Sequence, residues 1–241
     1  MKKSVALAIG LVLMVAALVA VPPVASAKQD NIKLKTFVHY PAPHRKQVSL
    51  GCTATVDDQV ADYGLTGWHM PTAGMIYKIN SSSKPKNITN TQLNQAINAS
   101  FNAWTAADAK QIFTYGGETR DTAARYNGTN ALFWKRIPGS AIAITYTWYY
   151  TATGDVAESD TAFNARYAWA VNSPSGDCAG TVGKYDLQNI ATHEFGHWVG
   201  LDDLYADADK DLTMFGYGTT GELKKDSLGL GDITGTLTVA P

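Results

Sequence analysis

The segment His193-Glu194-Phe195-Gly196-His197 constrains the fold more than any other part of this 241-residue chain. Residues four apart lie on one face of an α-helix, so both histidines can bind a single Zn²⁺ while Glu194 reaches a water bound to the metal. Asp186, a good N-cap, precedes the apolar residues Leu187 and Ile190. The sequence therefore predicts a helix that begins after Asp186 and presents a metal-binding face.

The residues after this helix complete a set of ligands. Gly200 lies three residues after His197, where a glycine can adopt the left-handed conformation that ends a helix and turns the chain back. Asp203, six residues after His197, is then carried under the metal. A catalytic zinc commonly has three protein ligands and one open position. We therefore predict His193, His197 and Asp203 as metal ligands and Glu194 as the catalytic residue.

The third ligand has a competitor. The other histidines, His39, His44 and His69, all precede the motif, and Glu222 is the only glutamate after it. Glu222 lies in a glycine- and lysine-rich stretch instead of a clear apolar helix. We therefore prefer Asp203 to Glu222 as the third ligand.

The middle of the chain predicts a sheet and one further helix. Leu93, Ile97, Phe101 and Trp104 share one helical face behind a polar start at Asn90. Apolar and alternating runs predict strands at residues 75–79, 111–115, 131–137, 141–150 and 156–164.

The N-terminus predicts export. Lys2 and Lys3 precede an apolar run at residues 5–21, and small residues follow at 25–27. This pattern is typical of a secretory signal peptide over residues 1–27, cut before Lys28. We therefore expect a secreted, extracellular protein. The run just reaches the length of a membrane-spanning helix, so a protein anchored by an uncleaved segment is the alternative.

Residues 28–68 show no sustained apolar period, and Pro41 and Pro43 interrupt any regular element. We expect an irregular N-terminal extension or pro-segment here, followed by a catalytic domain at residues 69–241. Cys52 and Cys178 are the only cysteines. In an oxidising compartment they can form one disulfide, remain as separate thiols, or leave Cys52 to mask a metal in a latent form.

Charge limits the partners. With 20 basic and 21 acidic side chains the net charge is −1, which offers no basic field for nucleic acid. We expect protein or peptide substrates, no membrane partner unless the N-terminal segment is uncleaved, and a monomer. Asp155, Glu158 and Asp160 follow a glycine turn and could bind Ca²⁺, but we favour a solvated strand face.

Residues 193–203, HEFGHWVGLDD, resemble the extended HExxHxxGxxH/D pattern of metzincin zinc endopeptidases, with aspartate in the last ligand position as in snapalysin-type members. Residues 211–218 resemble their Met-turn, with Met214 as an apolar floor under the zinc. Residues 185–192 and 158–164 are similar to the helix start and last sheet strand of bacterial and archaeal matrixin-like proteases. No cysteine-switch consensus surrounds Cys52.

The resemblance implies an α+β metzincin-type fold with a twisted mixed sheet, two long helices and a small C-terminal subdomain after Gly200. It implies a zinc-dependent endopeptidase that hydrolyses peptide bonds by a metal-activated water, with Glu194 as general base. It places residues 141–150 at the edge of the cleft and a helix at 229–239, although glycines and threonines are poor helix formers. The alternative is a secreted or surface-anchored binding module with a structural or vestigial metal site.

Overall fold

The computed structural model describes residues 31–43, 60–172 and 180–239. Three α-helices are present in these ranges, namely α1 (Asn90–Ala107), α2 (Leu187–Val199) and α3 (Leu230–Thr238). The strands are β1 (Ile32–Pro41), β2 (Gly64–Leu65), β3 (Met75–Ile79), β4 (Phe113–Glu118), β5 (Asn130–Lys135), β6 (Ala143–Tyr150), β7 (Val156–Asn164), β8 (Trp169–Ala170), β9 (Tyr185–Asp186), β10 (Leu201–Asp202) and β11 (Tyr217–Gly218).

The main sheet has seven strands in the order β11-β1-β6-β7-β5-β3-β4. Strands β4, β3, β5 and β7 run parallel, β6 is antiparallel to β7, and β1 is antiparallel to β6. The short strand β11 is parallel to β1 at the other edge. The predicted α+β architecture with a mixed sheet is therefore confirmed.

The two longer helices pack together and supply most of the core against the sheet. The predicted face of α1, with Leu93, Ile97, Phe101 and Trp104, is fully buried. Phe101 stacks on Phe195 of α2 with ring centroids 3.7 Å apart. This contact connects α1 to the helix that carries the histidine motif.

Residues 32–41 correct the expectation of an irregular N-terminal segment, because they form the ten-residue strand β1. The strand buries only two side chains, Phe37 and His39. Because histidine is polar, these two positions do not form a recognisable apolar pattern. Pro41 ends the strand without interrupting it. The prolines thus indicate where the strand ends and do not show that a strand is absent.

The C-terminal helix α3 forms despite its glycines, as the resemblance implied. At Gly235 a Cβ atom would lie 2.9 Å from Leu201 Cδ2, so the absent side chain permits close packing. Tertiary contact outweighs the poor intrinsic propensity of the segment.

Three predictions lie outside the described residues: the signal peptide at 1–27, the alternative membrane anchor, and the pairing of Cys52 with Cys178. Among the described residues, no helix has the length and apolar character needed to cross a membrane.

Candidate metal centre

Helix α2 begins and ends where the sequence predicts. The Asp186 side chain accepts a hydrogen bond from the backbone N–H of Asn189 at 2.9 Å, which satisfies one of the free donors of the first turn. Gly200 ends the helix with φ 122°, and a Cβ there would lie 2.4 Å from the carbonyl oxygen of Trp68. Glycine is therefore required here by both its conformation and its surroundings.

The turn after Gly200 brings Asp203 back to both histidines of α2. Its Oδ1 atom lies 3.2 Å from Nε2 of His193 and 3.6 Å from Nε2 of His197. The three side chains form one of two groups in the described residues that could hold a metal ion.

Backbone carbonyls orient both histidine rings. Nδ1 of His193 lies 2.8 Å from the carbonyl oxygen of Thr213, and Nδ1 of His197 lies 2.9 Å from that of Leu201. A carbonyl accepts only, so each Nδ1 carries the proton and each neutral ring directs an Nε2 lone pair at Asp203.

These residues fit a bound cation. Two lone pairs that face a buried carboxylate repel it, and neither Nε2 of His193 nor Oδ1 of Asp203 has a hydrogen-bond partner among the described residues. A divalent ion at the centre would satisfy all three atoms. The Tyr205 hydroxyl donates to Oδ2 of Asp203 at 3.1 Å, and a hydrogen bond to the charged form of a carboxyl group favours that form. Burial lowers the pKa of His197 to about 4, which keeps this ring neutral.

Met214 packs directly beneath the motif helix. A Cβ at Gly196 would lie 2.2 Å from its sulfur, so the glycine inside the motif makes room for the methionine. Asp232 of α3 fixes the turn, since its carboxylate accepts the backbone N–H groups of Thr213, Met214 and Gly229 at 2.7, 2.9 and 2.7 Å. The apolar floor expected at Met214 is present, and α3 holds it in place.

Glu194 is fully buried beside the ligand group. Its Oε2 accepts a 2.6 Å hydrogen bond from the Thr145 hydroxyl of β6. Burial raises the pKa of Glu194 to about 7, and the neighbouring His193 partly opposes the shift. The Thr145 hydroxyl in turn lies 2.8 Å from that of Thr161, which accepts from Trp198 Nε1. Sequence reasoning missed Thr145, because nothing in its strand pattern separates it from other alternating threonines.

Sequence reasoning also missed His39. Its ring is tilted over that of His193 with centroids 3.9 Å apart, and its Nδ1 lies 3.3 Å from Oε1 of Glu194. His39, His193 and Glu194 form the second metal-capable group. The only available signal was that His39 is one of five histidines in the chain.

Lys225 lies behind His39. Its ammonium donates to the carbonyl oxygens of Phe215 and Tyr217 at 2.6 and 2.7 Å and lies 3.4 Å from Nε2 of His39. Burial lowers the pKa of Lys225 to about 8. The competing ligand Glu222 lies outside both metal-capable groups and accepts the backbone N–H of Thr219 instead.

The acidic residues of β7 are not a solvated face, which corrects that expectation. Glu158 and Asp160 are buried. Glu158 accepts backbone N–H groups of Asn127 and Gly128, and Asp160 accepts that of Ala131. The carboxylates therefore fix the loop before β5, and calcium binding gains no support.

The family comparison agrees with this geometry. The matrixin family model matches residues 68–236, more than half of the chain. The chain belongs to the matrixin family. It is therefore a zinc metalloendopeptidase of metzincin fold, as the sequence resemblance implied. No curated protein matches the matrixin chain significantly.

Proposed function

We propose that this matrixin is a secreted endopeptidase in which His193, His197 and Asp203 hold Zn²⁺ and Glu194 is the general base. One observation carries the proposal: two Nε2 lone pairs, each fixed by a carbonyl behind its ring, converge on a charged carboxylate next to a buried glutamate. Secretion rests on the pattern of residues 1–27 alone.

Zn²⁺ held by His193, His197 and Asp203 would lower the pKa of a bound water and polarise the scissile carbonyl. The protein supplies proton transfer and orientation. Glu194 accepts the proton of the attacking water at Oε1 and returns it to the leaving amine, while Thr145 holds Oε2. Burial keeps the affinity of this carboxylate for a proton high, which suits a group that must take and release one near neutral pH.

The ligand set favours catalysis over a structural metal. A structural zinc site has four protein ligands, whereas the group around Asp203 contains three among the residues that the structure describes. Glu194 lies beside this group of three. Thr145 donates a hydrogen bond to its Oε2, which leaves Oε1 to act as the base. A binding module with a structural or vestigial metal is the second candidate, and the following experiment separates the two.

The test is Glu194→Gln, compared with Glu118→Gln at an exposed strand position as the matched control. We expect Glu194→Gln to bind one zinc per chain and to lose at least about 100-fold in turnover of denatured casein, while the control matches wild type. The assay uses the most active processed form. Stoichiometric zinc with no casein or peptide cleavage in any form of the wild-type protein would support the binding module.

A further inference from the structure

Two pairs of hydroxyl side chains face each other across β6 and β7. Thr145 lies opposite Thr161, and Thr147 lies opposite Ser159. All four side chains are fully buried. The Thr145 and Thr161 oxygens lie 2.8 Å apart, and the Ser159 hydroxyl donates to that of Thr147 at 3.0 Å. Among the described residues, hydrogen bonds to α2 are found for the first pair and not for the second.

The first pair joins two side chains of the motif helix. Glu194 and Trp198 lie four residues apart, so they share one face of α2. Trp198 Nε1 donates to the Thr161 oxygen at 3.1 Å, and the Thr145 hydroxyl donates to Oε2 of Glu194 at 2.6 Å. A continuous chain of hydrogen bonds therefore leaves α2 at the indole, crosses both strands and returns to α2 at the glutamate.

The hydrogen bonds of this chain all point toward Glu194. An indole N–H only donates, and an ionised carboxylate only accepts. Because the Thr145 hydrogen is used on Oε2, the hydrogen between the two threonines belongs to Thr161 and is donated to Thr145. Each hydroxyl thus accepts from the group behind it and donates to the group ahead of it, an arrangement in which neighbouring hydrogen bonds strengthen one another.

The opposite direction is unfavourable. If Oε2 donated to Thr145, the Thr145 hydrogen would have to turn to Thr161. The Thr161 hydrogen would then have no acceptor, because Trp198 presents a donor and the described residues contain no other hydrogen-bond partner of this hydroxyl. A buried donor without a partner costs free energy. The chain therefore keeps Oε2 as an acceptor and leaves Oε1 for the reaction.

We propose that Thr161 and Trp198 are positioning residues for the proposed base. Acting through Thr145, they hold Oε2 of Glu194 in place and leave Oε1 to take the proton of the attacking water. This inference rests on the proposed function, since it concerns the orientation of the same carboxylate. Both residues act at a distance, because one hydroxyl separates Thr161 from the carboxylate and two hydroxyls separate Trp198 from it.

The first test removes single hydroxyls from the two pairs. Thr161→Val should lower kcat for casein at least about 5-fold, with KM and zinc content within 2-fold of wild type, because the Thr145 hydroxyl is no longer held from behind. Thr161→Ser keeps the hydroxyl and should restore most of the activity. The matched control is Ser159→Ala, which removes a buried hydroxyl of the second pair and should leave kcat within 2-fold of wild type.

The second test asks whether both residues act through Thr145. Trp198→Phe keeps a ring that packs on Phe195 and should lower kcat at least about 3-fold. Added to Thr145→Val, either Trp198→Phe or Thr161→Val should change kcat by less than about 2-fold, since the chain is already broken. A purely structural role would give the same factor with and without Thr145→Val. Trp198→Phe decides if Thr161→Val does not fold.

A third readout does not depend on turnover. The chain has six tryptophans, and Trp198→Phe identifies the indole N–H resonance of Trp198 in the nuclear magnetic resonance spectrum of the zinc-loaded protein. Thr161→Val and Thr145→Val should both shift this resonance, because the first removes the acceptor of the N–H and the second removes the next hydroxyl of the chain. Ser159→Ala should leave it in place.

The outcomes separate the two proposals. Equal losses of kcat in Thr161→Val and Ser159→Ala, or a loss from Thr161→Val that is the same with and without Thr145→Val, would refute the positioning chain and leave the proposed function standing. A wild-type protein that binds zinc and cleaves no substrate, with an indole resonance that responds as expected, would support the chain of hydrogen bonds and refute the proposed function.

Discussion

The two walls of the site are held by different kinds of interaction. On the helix side, α2 and the segment that leads to α3 are fixed by buried hydrogen bonds, such as those that Asp232 accepts from Thr213 and Met214. On the strand side, β1 is held by its main-chain ladder with β6, by stacking of Phe37 on His197, and by the pair of Lys35 and Asp202, whose side chains remain 40% and 36% exposed.

The side-chain contacts of the two sides therefore differ in strength. Breaking a buried hydrogen bond leaves an unsatisfied polar group and costs about 1–3 kcal/mol. An exposed ion pair contributes about 0–1 kcal/mol. Loss of a buried hydrogen bond on the helix side should therefore cost more stability than loss of the exposed ion pair on the strand side.

The largest effect is expected at Asp203, the proposed ligand on the helix side of the site. Asp203→Ala removes the charged oxygen on which both Nε2 atoms converge, so zinc affinity should fall by more than the roughly 10–100-fold typical of losing an outer partner. Asp202→Ala is the matched control, since the neighbouring carboxylate pairs with Lys35 and should change affinity by less than about 3-fold. Competition with a chromophoric chelator measures both. Loss of zinc in Asp202→Ala with retention in Asp203→Ala would shift the proposed ligand register by one residue.

The same contrast describes what the sequence could predict. The helix of the motif, its N-cap Asp186 and its end at Gly200 follow from local rules, and the structure has all three. The strands β3 and β7 have the predicted bounds, because period-two alternation is also local. Each of these features lies within a single segment.

Features that depend on partners distant in the chain were not predictable. The sequence of β1 gives no apolar period because one of its two buried rings is the polar His39, which packs on a histidine from α2. Helix α3 forms because Gly235 lets it approach Leu201 closely. Intrinsic helix propensity does not describe such a tertiary contact. Thr145 orients Glu194 only after the sheet is assembled. The local motif thus predicts the metal ligands, while the surroundings of the base require the fold.

The second largest effect is expected at Asp232. Asp232→Asn replaces an acceptor by a donor where three backbone N–H groups converge, so at least one buried N–H loses its partner. We expect a loss of about 3 kcal/mol in the free energy of unfolding, measured by urea denaturation. The control Asp62→Asn, an exposed aspartate, should change stability by less than about 0.5 kcal/mol. Equal stability of the two variants would mean that the helix-side wall is no more firmly held than the surface.

A smaller effect is expected at Thr145 of β6. This strand pairs with β1, and its threonine donates a hydrogen bond to Glu194 of α2. Thr145→Val removes the hydroxyl that holds Glu194 without changing side-chain shape much. We expect kcat to fall about 10-fold, equivalent to about 1.4 kcal/mol, with KM and zinc content within 2-fold of wild type. Thr145→Ser keeps the hydroxyl and should restore most of the activity. A serine variant as slow as the valine variant would show that packing, and not the hydrogen bond, is what matters.

The smallest effect is expected at Lys35, on the strand side of the site. Its ammonium pairs with Asp202 at 2.9 Å and lies 4.6 Å from the Phe37 ring centroid, but water screens both contacts at this exposure. Lys35→Ala should speed amide exchange at residues 143–150 by less than about 5-fold, equivalent to under about 1 kcal/mol, and 0.5 M NaCl should reduce even this difference. Phe37→Ala, measured alongside, should have the larger effect, because it removes the stacked ring itself. A larger effect from Lys35→Ala than from Phe37→Ala would mean that charge contributes more than ring stacking to holding β1 against β6.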